Sequence, residues 1–238
     1  MALTSAAITV RPARTDELPA GVRLLASALG FRPEDALPAW LVQTSTRYGG
    51  LAIAALAGRA LAGFSCALPG VDEEGPFLFS CGLAVAPAHR GRGLGRALKL
   101  AQGRLARERG YALVRWTADP LNAVALRLYL TGLGARGVAY HPGLHDAVRP
   151  PGAIPQDDLE IDWQLDRDPD AAPTAGDAPA LELPWDLAAL VRADPVSALE
   201  WRLRVRAEAT DLLGDGLAAT GVTLDCVRRR AFLRFEPA

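Results

Sequence analysis

The run FLFSCGLAV, Phe77 to Val85, is apolar at almost every position, and Pro87 ends it. A strand buried on both faces needs such a run. From Leu94, the apolar positions 94, 97, 98, 101 and 105 recur at helical spacing. Arg96, Lys99, Arg104 and Arg107 fall on the opposite face, and Gly110 stops the helix. ALVRWTA reads as another strand, and LNAVALRLYLTGLGA as another helix, from near Asn122 to Gly132. Strand, helix, strand, helix in that order requires parallel pairing, with helices laid on the sheet faces.

The flanks fill in a mixed α/β pattern. AAITVRPA is a short strand. TDELPAGVRLLASALG is a helix with Thr15 as its capping residue and Gly30 as its stop. YGGLAIAALAGRALAGFSCAL reads as two strands around a tight turn at Gly58. YHPGLHDAVRPPGAIPQDD is too rich in proline and glycine for regular structure, and LEIDWQL after it is a strand. DRDPDAAPTAGDAPA, residues 166–180, reads as a linker or exposed crossover. Beyond it lie the strand LELPWD, a helix from Pro195 to about Leu213 capped by Asp194, and the strands ATGVTLD and RRAFLRFEP. At under 60 residues this βαββ tail is marginal as an independent domain and is expected to dock on the first.

Several function classes drop out on composition. The formal net charge of -1 over 238 residues gives no bulk attraction to nucleic acid or acidic membranes. Cys66, Cys81 and Cys226 are far apart and form no C-x-x-C pair, which disfavours a disulfide framework or zinc ribbon. The N-terminus lacks the basic start and apolar block of a signal peptide, and no apolar run spans a bilayer. A cytoplasmic protein without metal, membrane or nucleic-acid partner is expected.

HRGRGLGRALKLAQ, His89 to Gln102, places Gly91, Gly93 and Gly95 among Arg90, Arg92 and Arg96 at the mouth of a helix. The first amides of a helix have no internal partners and sit at the positive end of its dipole. They make a seat for phosphate. Glycines let a ligand lie against the backbone, and arginines add charge-assisted hydrogen bonds. A Walker A loop needs G-K-[ST], which is absent, and a dinucleotide loop needs glycine at 96, where arginine stands. What fits is R-x-x-G-x-G: Arg90, Gly93, Gly95. A plain strand-to-helix turn would need fewer glycines and no alternating arginines.

That motif, with LAVAPAHRGRGLGRALKLAQ around it and TADPLNAVALRLYLTGLGA downstream, resembles the GNAT acyltransferases over roughly residues 7 to 165. The opening ITVRPARTDELP is similar as well. The resemblance implies a mixed sheet, splayed open at its centre and flanked by helices, with acetyl-CoA as co-substrate. It implies a catalytic domain over residues 1–165, with the linker 166–180 and the βαββ extension 181–238 beyond. Backbone groups of Leu83, Ala84 and Val85 would hold the pantetheine arm and the acetyl carbonyl. Arg90, Gly91, Arg92, Gly93, Leu94, Gly95 and Arg96 would hold the pyrophosphate. Asn122 would contact the pantetheine side, and Tyr129 would stand near the sulfur as the acid for the thiolate.

The implied activity is direct acetyl transfer to a primary amine of a small molecule or peptide, in a monomer or a homodimer. A non-catalytic acyl-CoA sensor is the alternative. An ammonium must lose a proton before it attacks, yet the strand Phe77–Val85 carries no acid or histidine. Glu73, Glu74, Asp119, His141, His145 and water stay open as the base. Tyr129 also fits a plain core tyrosine, and Asn122 a plain helix cap. His141 and His145 read as solvated loop residues rather than metal ligands. In the tail helix, Arg202 and Arg206 have no acid four residues away. They fit a bridge to an acidic patch, or a grip on an anionic substrate.

Overall fold

Alternating small and branched residues in LAIAALA and ALAGFSCAL pair as a hairpin, β2 (Leu51–Ala57) with β3 (Ala60–Asp72). Gly58 closes it in the left-handed region at φ 61°, which a side chain would resist. The computed structural model describes residues 7–32, 35–146, 155–167 and 178–238. The chain divides into two units, Met1–Arg115 and Trp116–Ala238.

In the first unit the strand order is β1 (Ile8–Pro12), β2, β3, β4 (Gly75–Val85), then the opening of β5 (Leu113–Ala118). The pairs from β1 to β4 are antiparallel, and β4 with β5 is parallel, as strand-helix-strand requires. α1 (Leu18–Leu29) and α2 (Ala39–Arg47) cover one face, where Leu18, Val22, Leu25 and Val42 meet Phe64 and Cys66. α3 (Leu94–Glu108) covers the other, where Leu94 and Leu98 meet Ile53, Ala55 and Ala62. Gly21 is required at the first contact: a Cβ there would lie 2.4 Å from the Phe64 ring.

Three local expectations change. Thr15 does not cap α1; the Glu17 carboxylate reaches back to the Arg14 N–H at 2.8 Å, after one 3-10 turn. Gly30 does close the helix, at φ 74°. β4 is deeply buried on one face only, at Leu78, Ser80 and Ala84. Lys99, placed by its spacing on the solvent face of α3, is 1% exposed.

The second unit orders its strands as β5, β7 (Asp158–Gln164), β6 (Arg136–His141), β9 (Leu217–Asp225), β10 (Arg230–Pro237) and β8 (Ala180–Leu183). α4 (Ala123–Leu126) runs into a π-helical turn over Arg127–Thr131. α6 (Pro195–Gly214) is capped as expected, with Asp194 accepting from the Ser197 N–H at 3.1 Å. The tail holds one helix more than expected, α5 (Leu187–Ala193), capped by Asp186 and with no buried residue. β9 pairs with β6 at Gly137↔Ala219, so the tail continues a sheet rather than forming a layer of its own. A Cβ at Gly137 would lie 2.7 Å from Leu159 Cδ2, which is why this crowded strand needs glycine. The unit boundary at 115/116 differs from the expected segments 1–165, 166–180 and 181–238. Residues 168–177 of the expected linker lie outside the described residues.

Candidate functional site

The first unit brings together the strand end and the glycine loop. Leu83, Ala84 and Val85 pair with Ser65, Phe64 and Gly63 of β3. On the opposite edge, β4 pairs with β5 at Leu78↔Val114 and Phe79↔Arg115. Among the described residues no pairing with β5 extends into Ser80–Val85. Backbone groups on that edge are therefore available for an extended ligand arm.

One 3-10 turn, Pro87–His89, leads into the loop. Arg90 is anchored: its Nε donates to the Val85 carbonyl at 3.0 Å. Gly91 and Gly93 lie in the left-handed region at φ 72° and 77°, and a Cβ at either would meet nothing within 4 Å. The backbone is thus exposed where phosphate would approach. Gly93 is the N-cap of α3 and makes no side-chain cap. Arg90, Arg92 and Arg96 are exposed around it. The Leu94 side chain is buried in the core, so only its backbone can serve a ligand. This set fits an anionic pyrophosphate by charge, by open glycine backbone and by a helix N-terminus.

Beneath β4, α3 carries a polar ladder the sequence did not announce. Lys99 Nζ donates to Ser80 Oγ at 2.9 Å and to Gln102 Oε1 at 3.2 Å. Gln102 Nε2 donates to Ser65 Oγ at 3.1 Å. Burial pushes the Lys99 ammonium well below the ordinary lysine range, only partly offset by Cys81.

In the second unit, Asn122 is exposed and caps α4, its Oδ1 accepting from the Ala125 N–H at 3.1 Å. Tyr129 lies in the π turn, edge-on to Trp116 with ring centroids 5.1 Å apart. Burial pushes its phenol up to about 12, so it keeps its proton at neutral pH. π turns are frequent at functional sites. A cavity of about 690 Å³ opens beside Asn122, with Val124, Trp185, Leu187 and Val191 among its lining residues. The unexpected helix α5 forms one wall of this cavity, and no motif pointed to it.

The candidate bases separate on geometry. Glu73 and Glu74 are exposed in the β3–β4 turn. From Gly75 to Val85, β4 extends roughly 33 Å at about 3.3 Å per residue, so they stand at the wrong end of the strand. Asp119 is taken bidentately by Arg202, at 2.7 and 2.9 Å. His141 Nε2 lies 3.0 Å from Glu160 Oε2. His145 is half-exposed, with Nε2 3.9 Å from Asp158 Oδ2. Arg206 holds Asp157 at 2.9 and 2.7 Å. Both tail arginines therefore bridge to acids, the structural alternative of the two. Burial works against the Asp157 charge, but Arg206, Tyr140 and the Gly143 N–H outweigh it and hold its carboxyl low. Among the described residues, no group of three or more His, Cys, Asp or Glu side chains is placed to hold a metal ion. None of their helices is long and apolar enough to cross a membrane.

Residues 21–135 match the family model of the Acetyltransferase (GNAT) family. No curated protein sequence matches the chain. Among solved structures, yncA from Salmonella typhimurium, solved with its cofactor acetyl-CoA, is similar at 20% identity and a TM-score of 0.57. The match covers 71% of this chain and 99% of that one. The ribosomal-protein-S18-alanine N-acetyltransferase of Escherichia coli is similar at 20% identity and 0.54, over 70% of this chain and 99% of that one. A GNAT family acetyltransferase from Elizabethkingia anophelis with acetyl-CoA bound is similar at 18% and 0.52, over 66% and 97%. At such identities the likeness is one of fold, a mixed α/β sheet flanked by helices. Over residues 21–135, then, this chain carries a domain of the GNAT acetyltransferase family, whose co-substrate is acetyl-CoA.

Proposed function

We propose that the protein is an N-acetyltransferase that moves the acetyl group of acetyl-CoA directly onto a primary amine of a small molecule or peptide. The observation that carries this reading is the open glycine–arginine loop at the N-terminus of α3, directly after a strand end with a free edge. Residues 1–165 supply the catalytic domain, and 181–238 the extension that shapes its ligand pocket. The cavity between Asn122 and α5 supports that role for the extension.

The chain's own groups divide the work. Exposed amides from Gly91 to Arg96, with the Arg90 and Arg92 guanidiniums, bind the pyrophosphate. Backbone groups of Leu83, Ala84 and Val85 align the pantetheine arm and donate to the oxyanion that develops on the acetyl carbonyl. Asn122 contacts the pantetheine side. Tyr129, protonated at neutral pH, gives its proton to the departing thiolate. The thioester supplies an activated acetyl group. No cysteine or serine of this chain stands in a nucleophile motif, which fits direct attack without an acyl-enzyme. The three free cysteines fit a reducing cytoplasm.

Calorimetric titration of acetyl-CoA tests the reading. Wild type should bind with micromolar Kd, and Gly93→Asp with Gly95→Asp should lose at least about 100-fold, because carboxylates then occupy the phosphate seat. Amine-dependent thiol release separates the transferase from an acyl-CoA sensor, which would bind without release.

A further inference from the structure

Cys66 of β3 and Cys81 of β4 meet across one ladder, wholly within the first unit. Cys66 pairs with Gly82, the residue after Cys81. The register shifts at this point. Leu68 stands opposite Phe79, so β4 sets two residues, Ser80 and Cys81, against Ala67 alone. Paired Cα atoms lie about 5 Å apart and successive strand residues advance about 3.3 Å, which puts the two cysteine Cα atoms about 6 Å apart. A disulfide spans about 4.4–6.8 Å between Cα atoms. Both side chains also belong to one apolar cluster, Cys66 within it and Cys81 packed against it.

The two thiols differ. Cys66 is fully buried, and its S–H donates to the Cys81 sulfur. Cys81 is half-buried, so a small solute can reach it. The bond from Cys66, with backbone hydrogen bonds and the charge of Lys99, outweighs burial and holds the Cys81 thiol below its ordinary range. The same bond, followed by burial, pushes the Cys66 thiol up. The thiolate is the reactive form of cysteine. Cys81 is therefore the nucleophile of the pair, with Cys66 already against its sulfur. Cys226, the third cysteine, is exposed in the β9–β10 turn of the other unit.

We propose that Cys66 and Cys81 are a peroxide-reactive thiol pair that closes to a reversible disulfide. The Cys81 thiolate attacks an oxygen of a hydroperoxide. The O–O bond breaks, and the departing oxygen keeps its electron pair and takes up the proton that Cys81 released. Cys81 is then a sulfenic acid. The Cys66 sulfur attacks the Cys81 sulfur, the S–O bond breaks, and the hydroxyl leaves as water with the Cys66 proton. Two thiols and one hydroperoxide give one disulfide, one alcohol (water, from hydrogen peroxide) and one water. A thiol reductant returns both cysteines by exchange. No group of the glycine–arginine loop takes part, so the pair stands apart from the acetyl-transfer reading.

The test treats the fully reduced, full-length protein with hydrogen peroxide at neutral pH, blocks the remaining thiols and maps the peptides by mass. Both cysteines fall in the tryptic segment Ala60–Arg90, and cleavage after Glu73 and Glu74 separates them. That segment should become two hydrogens lighter, with its halves held together after the second cleavage and freed by dithiothreitol. Cys226 should oxidise at least about tenfold more slowly. Cys66→Ala should stop at a Cys81 sulfenic acid that dimedone traps, and Cys81→Ala should leave Cys66 reduced. Wild-type protein that keeps Cys66 and Cys81 free while Cys226 is oxidised overturns the pair. Linkage that forms as fast in urea, where the strands no longer hold the thiols together, overturns it too. The wild-type map decides by itself, so a variant that fails to fold leaves the answer intact.

Discussion

At the residue scale, Lys99 shows how far a side chain can stand from its sequence pattern. A lysine with 1% exposure needs buried acceptors, and Ser80 and Gln102 both accept from it. Lys99→Ala opens a cavity and strips both acceptors, and should cost about 2–4 kcal/mol in urea unfolding. Lys99→Met keeps the stem and should cost less than half as much. Glu17 makes a second residue-level prediction, with a pH signature. The Arg11 hydrogen bond comes first among the causes that outweigh its desolvation and hold its carboxyl at about 2, against an ordinary 4.5. A carboxyl lowered by folding stabilises above its unfolded value and loses that contribution as pH falls through the folded one. Stability should therefore fall between pH 4.5 and 2, and Glu17→Gln should flatten that part of the curve in thermal melts.

At the element scale, α6 is tied to its own unit by charge as well as by Ala198, Val205 and Ala209. Arg202 is 4% exposed and meets Asp119 in two hydrogen bonds. Removing one partner leaves the other charge buried, so Arg202→Met or Asp119→Ala should each cost about 3–5 kcal/mol. The double variant should cost less than the sum, and a double-mutant cycle by urea unfolding reads that difference. Arg204, two residues from both Arg202 and Arg206, is a surface residue, lying over the Trp201 ring at 3.9 Å and 3.9 Å from Glu208. Arg204→Ala should shift stability by under about 1 kcal/mol. Helical spacing sets Arg204 apart, with Glu200 and Glu208 four residues to either side; which acids Arg202 and Arg206 hold is decided by the partner across the fold.

At the scale of the whole molecule, the tail is structural. β9 takes the edge of β6, and α6 brings the cations that neutralise Asp119 and Asp157. A chain ending at residue 165 keeps both acids and loses both arginines. It should fail to fold over residues 116–165, seen as amides in that range exchanging at unfolded rates, while 7–115 keep protection.

Sequence alone determined most of the strands and helices, though not α2, β6 or α5, together with the parallel step from β4 to β5, the closures at Gly30 and Gly58, and the glycine–arginine loop. It also carried the resemblance to the GNAT family. These are local properties: periodicity, turn chemistry and the residue types a phosphate requires lie within a few positions of one another. Tertiary structure decided what depends on distant partners. Lys99 is buried because Ser80, 19 residues back, accepts from it. Asp119 is spent because Arg202, 83 residues on, holds it. Asp158 carries an unsatisfied oxygen because folding removes water from it without supplying a donor. Burial and pairing across the sheet set the energy of a charge, and a one-dimensional pattern does not contain them.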